Sequence, residues 1–214
     1  MRRTAAEAAA TREAITRSAL HRFARDGWEG CSLVEVARGA GVTRGAVYHH
    51  FSGKRDLLIT SLSEQWQQWF ARLVVPLQGD EPPRDRLVAF LEAYLRLLVD
   101  DEQFRDLAVV STLVAPQAAC GDPAMTAKRD GMRTWSERIE QVLAEADPAL
   151  QIDAAHGRFV LTTFIHGATS TAALSPTDLP AAERCRAVAE SVVGGLFPGG
   201  RAAARERPVR QENP

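Results

Sequence analysis

Apolar residues recur at helical spacing along nearly the whole chain and almost nowhere alternate as in a strand. Over Ala6–Arg25 the stripe is Ile15, Ala19, Phe23 and Ala24, and Gly27 is the expected stop. Ser32 is placed to cap a second helix, with Glu35 three residues on as its capping-box partner, and that helix ends near Ala40-Gly41. Thr43 caps a third helix that ends near Phe51, and a fourth runs from about Lys54 to Val75. The later stretches predict helices over Arg84–Asp100, Glu102–Val114, Pro123–Ala146, Asp153–Leu174 and Ala181–Leu196. From Pro198 onward there are four Arg and no apolar stripe, so 201–214 is read as a mobile tail. The expected fold is all-α with about nine helices.

Two short helices joined by Gly41-Val42 have the length and turn chemistry of a helix-turn-helix. On a wheel of about 100° per residue, Ala46, Val47, His50 and Phe51 fall on one half of the third helix. Arg44, Gly45, Tyr48 and His49 fall on the other. That second half suits a DNA groove. The forked donors of Arg44 reach a guanine edge or a phosphate, Gly45 lets backbone approach closely, and Tyr48 and His49 donate to phosphate oxygens. Thr43 lies near the same surface, and Lys54 stands at the start of the fourth helix, where free backbone N–H groups favour an anion. His50 is read as packed or capping rather than base-reading.

The run Ser32–Leu58, SLVEVARGAGVTRGAVYHHFSGKRDLL, resembles the TetR family of bacterial transcriptional regulators, and its core AGVTRGAVYHHFSGKRDLL is similar to the multidrug-efflux repressors of the AcrR kind. The likeness extends weakly back through Phe23, Gly27 and Trp28 and covers about a quarter of the chain. Cys31 is a departure, since such sequences often carry Thr there. The resemblance implies a DNA-binding domain over 1–53, with Ser32, Thr43, Arg44, Gly45, Tyr48, His49 and Lys54 at the interface. It also implies an effector-binding and dimerisation domain over 54–200. The expected partners are double-stranded operator DNA, a small hydrophobic or aromatic effector and a second copy of the chain. The expected action is a ligand-responsive repressor released from its operator by that effector.

Charge alters one first impression. The formal net charge of −1 argues against a nucleic-acid partner only while it is taken as a whole. Residues 1–60 hold 10 Lys+Arg and 6 Asp+Glu, a net of +4; residues 61–214 hold 16 and 21, a net of −5. A basic head on an acidic body suggests two jobs.

In the body, Phe159–Thr177 is a run of 19 residues without a charge. Its many Thr and Ser and the closing Pro176 argue for a helix buried on both sides rather than a membrane span. Small residues Gly167–Ser170 permit close packing there, and Cys185, Val188, Ala189, Val192 and Leu196 form a stripe on the last helix. An interchain four-helix bundle is the favoured use of these two helices; packing within one chain is the alternative. Candidate pocket aromatics are Trp66, Phe70, Phe90, Tyr94, Phe104, Trp135 and Phe164, with Ser111, Met132 and His166 as polar or adaptable wall. Each aromatic taken alone is more readily explained as plain core.

Other chemistries find little support. Cys31, Cys120 and Cys185 are scattered and form no CxxC pair. His156 and His166 are ten residues apart, on different faces of one helix, so no metal site is expected. No GxSxG, HExxH, GxxxxGK[ST] or GxGxxG run occurs, and neither an enzyme nor a cofactor is expected. Met1–Ala10 lacks an apolar segment, which leaves the cytoplasm as the expected compartment. A DNA binder that answers to a protein rather than a small molecule is the remaining alternative.

Overall fold

The computed structural model describes residues 4–118, 130–146 and 149–198, with the backbone alone at 130–134. Met132, Cys120 and the tail 201–214, all singled out from the sequence, lie outside the described side chains.

Among the described residues nine longer helices are joined by loops and short 3-10 turns, and there is no strand. They are α1 (Ala5–Gly30), α2 (Leu33–Gly39), α3 (Arg44–His50), α4 (Lys54–Val74) and α5 (Pro83–Asp100). α6 starts as Glu102–Val109, passes through a π-helical stretch at Val110–Val114 and ends as Ala115–Ala118. α7 (Asp130–Ala146), α8 (Ala154–Leu174) and α9 (Cys185–Gly194) complete the body.

Gly27 breaks α1 as its sequence position suggests: at φ 70° it takes a left-handed conformation that lets the chain turn. Trp28 then folds back to stack on Phe23, with ring centroids 5.9 Å apart. Thr4 and Glu7 form a reciprocal capping box at the start of α1 that the sequence reading overlooked. The box expected at Ser32 does not form. Ser32 Oγ accepts from the Val34 N–H, while Glu35 is drawn to Arg38 at 2.7 Å and Arg22 at 3.4 Å. A nearby guanidinium outcompetes the cap N–H for that carboxylate.

α6 runs further than its predicted end at Val114, through Pro116. Proline has no N–H and crowds the carbonyl one turn back, and the widened π turn just before it accommodates both defects. The last helix starts later than expected, at Cys185, after a short 3-10 turn over Ala182–Arg184.

The head core joins Ile15, Ala19 and Phe23 of α1 to Val36, Val47, Phe51, Leu57 and Leu58. α4 belongs to both regions, since further along it buries Trp69, Leu73 and Val74 in the body. Within the chain α9 lies along α5, and α8 lies against α7 and α6. The alternative use of the last helix, packing within one chain, accounts for much of its stripe. Cys185, Ala189 and Leu196 are buried within one chain, and Val188 and Val192 are half-buried. The helix lies against α5, which takes up the buried part of the stripe and leaves Val188 and Val192 partly exposed. α8 does carry an uncovered face, with Phe159 66% and Leu174 80% exposed. Among the described residues, no helix is long and apolar enough to cross a membrane.

Candidate functional site

α3 is short and depends on its caps and neighbours for its position. Thr43 Oγ1 accepts from the Ala46 N–H at 3.2 Å. Gly41, at φ 66°, makes the turn from α2. Val47 is fully buried and Phe51 nearly so, which presses the apolar half of α3 into the head core. Arg44, Gly45, Tyr48 and His49 are left together on the exposed half, as the helical wheel predicts.

On that half, Arg44 Nη2 donates to Tyr48 Oη at 3.2 Å, and the guanidinium lies 5.3 Å from the phenol ring centroid. The pair holds a cation and a hydroxyl side by side on open surface. A Cβ built on Gly45 meets only Thr43 Oγ1, at 3.8 Å. The fold therefore does not demand glycine there, and the bare backbone is available to something outside the chain. Ser32 is exposed at the start of α2, its oxygen occupied by Val34. Cys31, next to it, is buried, and burial pushes its thiol up to about 11. It offers nothing to a phosphate.

Lys54 is less free than its position suggested. Its ammonium lies 4.7 Å from the Trp28 ring centroid and donates to the Glu29 carbonyl at 3.3 Å, bridging the end of α1 to the start of α4. Any phosphate there would share this cation with those groups.

Two positioning devices were missed from the sequence. Arg12 of α1 pairs with Glu64 of α4 at 2.8 Å, lies over the Phe51 ring at 4.8 Å and reaches the His50 carbonyl at 3.5 Å. One guanidinium thus ties the end of α3 to two longer helices. Asp56 accepts from the Ser52 N–H at 2.8 Å and from Ser52 Oγ at 3.1 Å. These bonds, the backbone one foremost, hold its carboxyl below the usual range and fix the turn between α3 and α4.

In the body, Phe104 is the hub of a ring cluster. Trp66, Trp69 and Tyr94 meet it nearly edge-on, at centroid distances of 6.1, 5.3 and 5.3 Å. Trp66 Nε1 donates to Ser111 Oγ at 2.8 Å, and that hydroxyl donates onward to the Leu107 carbonyl. Thr169 donates to the Ile165 carbonyl, so Tyr94 Oη is the donor in its 2.7 Å bond to Thr169. Burial pushes the Tyr94 hydroxyl up to about 12. Phe90 and Trp135 form an adjoining tilted pair at 6.0 Å. Trp135 Nε1 is buried without a hydrogen-bond partner among the described residues. Phe70 and Phe164 are half-buried against the hydrophobic core. His166 departs from its expected place in a pocket wall: it is exposed on the outer face of α8, which it shares with Phe159 and Leu174.

Near the junction of head and body, α1 meets α6 beside a groove of about 490 Å³. His21 Nδ1 lies 3.0 Å from Asp106 Oδ2 there.

A basic three-helix head with an exposed reading face on a buried-aromatic helical body defines the class of helix-turn-helix transcriptional regulators. Residues 15–60 match the family described as "Bacterial regulatory proteins, tetR family". The chain is 31% identical over 145 residues to the HTH-type transcriptional regulator CymR of Pseudomonas putida, covering 67% of each chain. It is 54% identical over 107 residues to the HTH-type transcriptional repressor BepR of Brucella suis biovar 1, covering 48% of this chain and 50% of that one. The chain belongs to the TetR family, whose members matched here are regulators rather than enzymes. The first curated relatives are matched over only 30%, 48% and 50% of their own length. The fold extends further: AibR, solved in complex with isovaleryl coenzyme A and operator DNA, superposes with a TM-score of 0.73 over 88% of this chain and 98% of that one, at 19% identity.

Proposed function

We propose that this chain is a dimeric, operator-binding repressor that a small hydrophobic effector releases from DNA. The observation that carries the reading is the exposed half of α3, where a cation, a bare backbone, a phenol and an imidazole stand together over a buried Val47 and Phe51. In this reading Arg44 reads a base edge or phosphate, and Tyr48, His49 and Thr43 contact the DNA backbone. Ser32 and Lys54 flank the interface. The head spans 1–53, the effector and dimer region 54–200.

The body supports an effector through its aromatic content and its unpartnered indole. A buried N–H without an acceptor costs about 1–3 kcal/mol. An apolar molecule carrying an acceptor beside Phe90 and Trp135 would remove that cost. Phe104, with no exposed surface, is ring packing among Trp66, Trp69 and Tyr94 rather than free pocket lining. AibR shows that one fold accommodates both an acyl thioester and operator DNA. The outer face of α8 is the dimer surface in this reading, which would present two α3 helices to two half-sites.

The test is fluorescence anisotropy of the full chain with the DNA upstream of its own gene at moderate salt. Binding that survives excess unrelated DNA supports the reading; binding no tighter than to the competitor sinks it. A thermal-shift panel of hydrophobic cations, flavonoids, antibiotics and acyl-coenzyme A thioesters then tests the effector. A compound that raises the Tm should also lower DNA affinity.

A further inference from the structure

His21 of α1 and Glu102 and Asp106 of α6 bring three metal-ligating groups together where head meets body, with their donor atoms all within 4.8 Å of one another. Glu102 and Asp106 are one helical turn apart and so share a face of α6. His21 Nδ1 is 3.0 Å from Asp106 Oδ2 and 3.8 Å from Glu102 Oε1. In a tetrahedral site with metal–ligand distances of about 2.1 Å, neighbouring donors stand about 3.4 Å apart. The two measured separations bracket that value. Glu102 is mostly exposed, so its side chain is free to close the remaining gap.

The hydrogen bond to Asp106 accounts for His21 by itself. Glu102, exposed and 3.8 Å away, lies beyond hydrogen-bond distance of the same imidazole, so its carboxylate oxygens stay available to a further ligand. The groove's own cations face elsewhere, Arg17 toward Glu13 at 2.7 Å and Arg22 toward Asp26 and Glu35. One imidazole and two carboxylates leave a net negative site with one nitrogen and two oxygen donors, and the adjoining groove gives solvent access to an open coordination position. That donor set suits a first-row divalent cation of the zinc class better than magnesium or calcium, which prefer oxygen alone.

We propose that His21, Glu102 and Asp106 form a site for such a divalent cation, which clasps the head helix α1 to the body helix α6. The proposal is independent of the operator and effector reading, and its test uses neither. The full chain, freed of metal with a chelator, is titrated with Co²⁺, whose visible ligand-field bands report coordination, and then with Zn²⁺ to displace it. One site per chain is expected. His21→Ala and Asp106→Asn should each weaken Co²⁺ binding at least about tenfold while circular dichroism stays unchanged. Zn²⁺ should raise the Tm of the parent chain and leave that of His21→Ala unmoved. Absence of Co²⁺ binding overturns the proposal. So does binding that His21→Ala leaves intact, which would place the ion at other histidines such as His156 beside Asp153.

Discussion

Val47 and Tyr48 are adjacent on α3, yet the first has 0% and the second 47% of its surface exposed. Truncating each to alanine should separate folding from DNA binding. Val47→Ala removes two buried methyl groups, a loss of about 1.6 kcal/mol in transfer free energy at about 0.8 kcal/mol per group. The cavity left in the hydrophobic core to which Val47 belongs brings the total to about 2–3 kcal/mol. In a chain of this size that is a fall in Tm of about 4–12 °C. Tyr48→Ala gives up an exposed contact with Arg44 and gains helix propensity, so stability should stay within about 0.5 kcal/mol. If Tyr48 donates to a phosphate, its loss is worth about 1.5–3 kcal/mol of DNA affinity, tenfold or more. Thermal unfolding and anisotropy titrations on both variants decide the matter. The reasoning is refuted if Tyr48→Ala destabilises as much as Val47→Ala, or if it binds operator as tightly as the parent.

Gly45→Ala should stabilise the fold by about 0.5–1 kcal/mol, because the site is open and alanine is the better helix former, yet weaken operator binding; a variant that gains stability and keeps its affinity removes Gly45 from the interface. Gly41→Ala meets no neighbour within 4 Å, so backbone strain alone should destabilise it by about 1–2 kcal/mol in denaturant melts. Phe159→Asp on the outer face of α8 should yield monomers in analytical ultracentrifugation with an unchanged helical signal. Asp56 sits below its ordinary range when folded; the stability it contributes is present above the unfolded value of about 3.9 and is lost as pH falls through the lowered one. Asp56→Asn should therefore flatten the acid limb of a pH–stability profile, and an unchanged limb would remove the Ser52 bonds as the cause.

The exposed face of α3 was legible because every fact needed lies within one turn or two of the residue concerned. The Thr43 cap, the Gly41 turn and the division between Val47 and Tyr48 all follow from spacing along a helix. Arg12, Lys54 and His21 were illegible for the complementary reason. Arg12 meets Phe51 and Glu64, Lys54 meets Trp28, and His21 meets Asp106 only once helices distant in sequence cross at particular angles. Pro116 shows a local rule overridden, since a π turn lets α6 absorb a residue that ordinarily ends a helix.

The last two helices show what periodicity leaves open. A stripe on α9 announces burial without naming the partner, and the partner is α5 of the same chain. α8 is different in kind. Leu161, Ile165, Thr169 and Ala172 are buried within the chain, while Phe159 and Leu174 on other faces remain in solvent. An uncharged helix with large apolar side chains on its outer face as well as its inner one is suited to being covered on more than one side. Only one side is covered by the rest of this chain, and the uncovered one carries two large apolar side chains at its opposite ends. In the proposed dimer, a second copy packed antiparallel on this face across a two-fold axis would set Phe159 of one helix near Leu174 of the other. The dimer proposal therefore rests first on α8, whose outer face this chain leaves uncovered, while most of the α9 stripe is already buried within the chain.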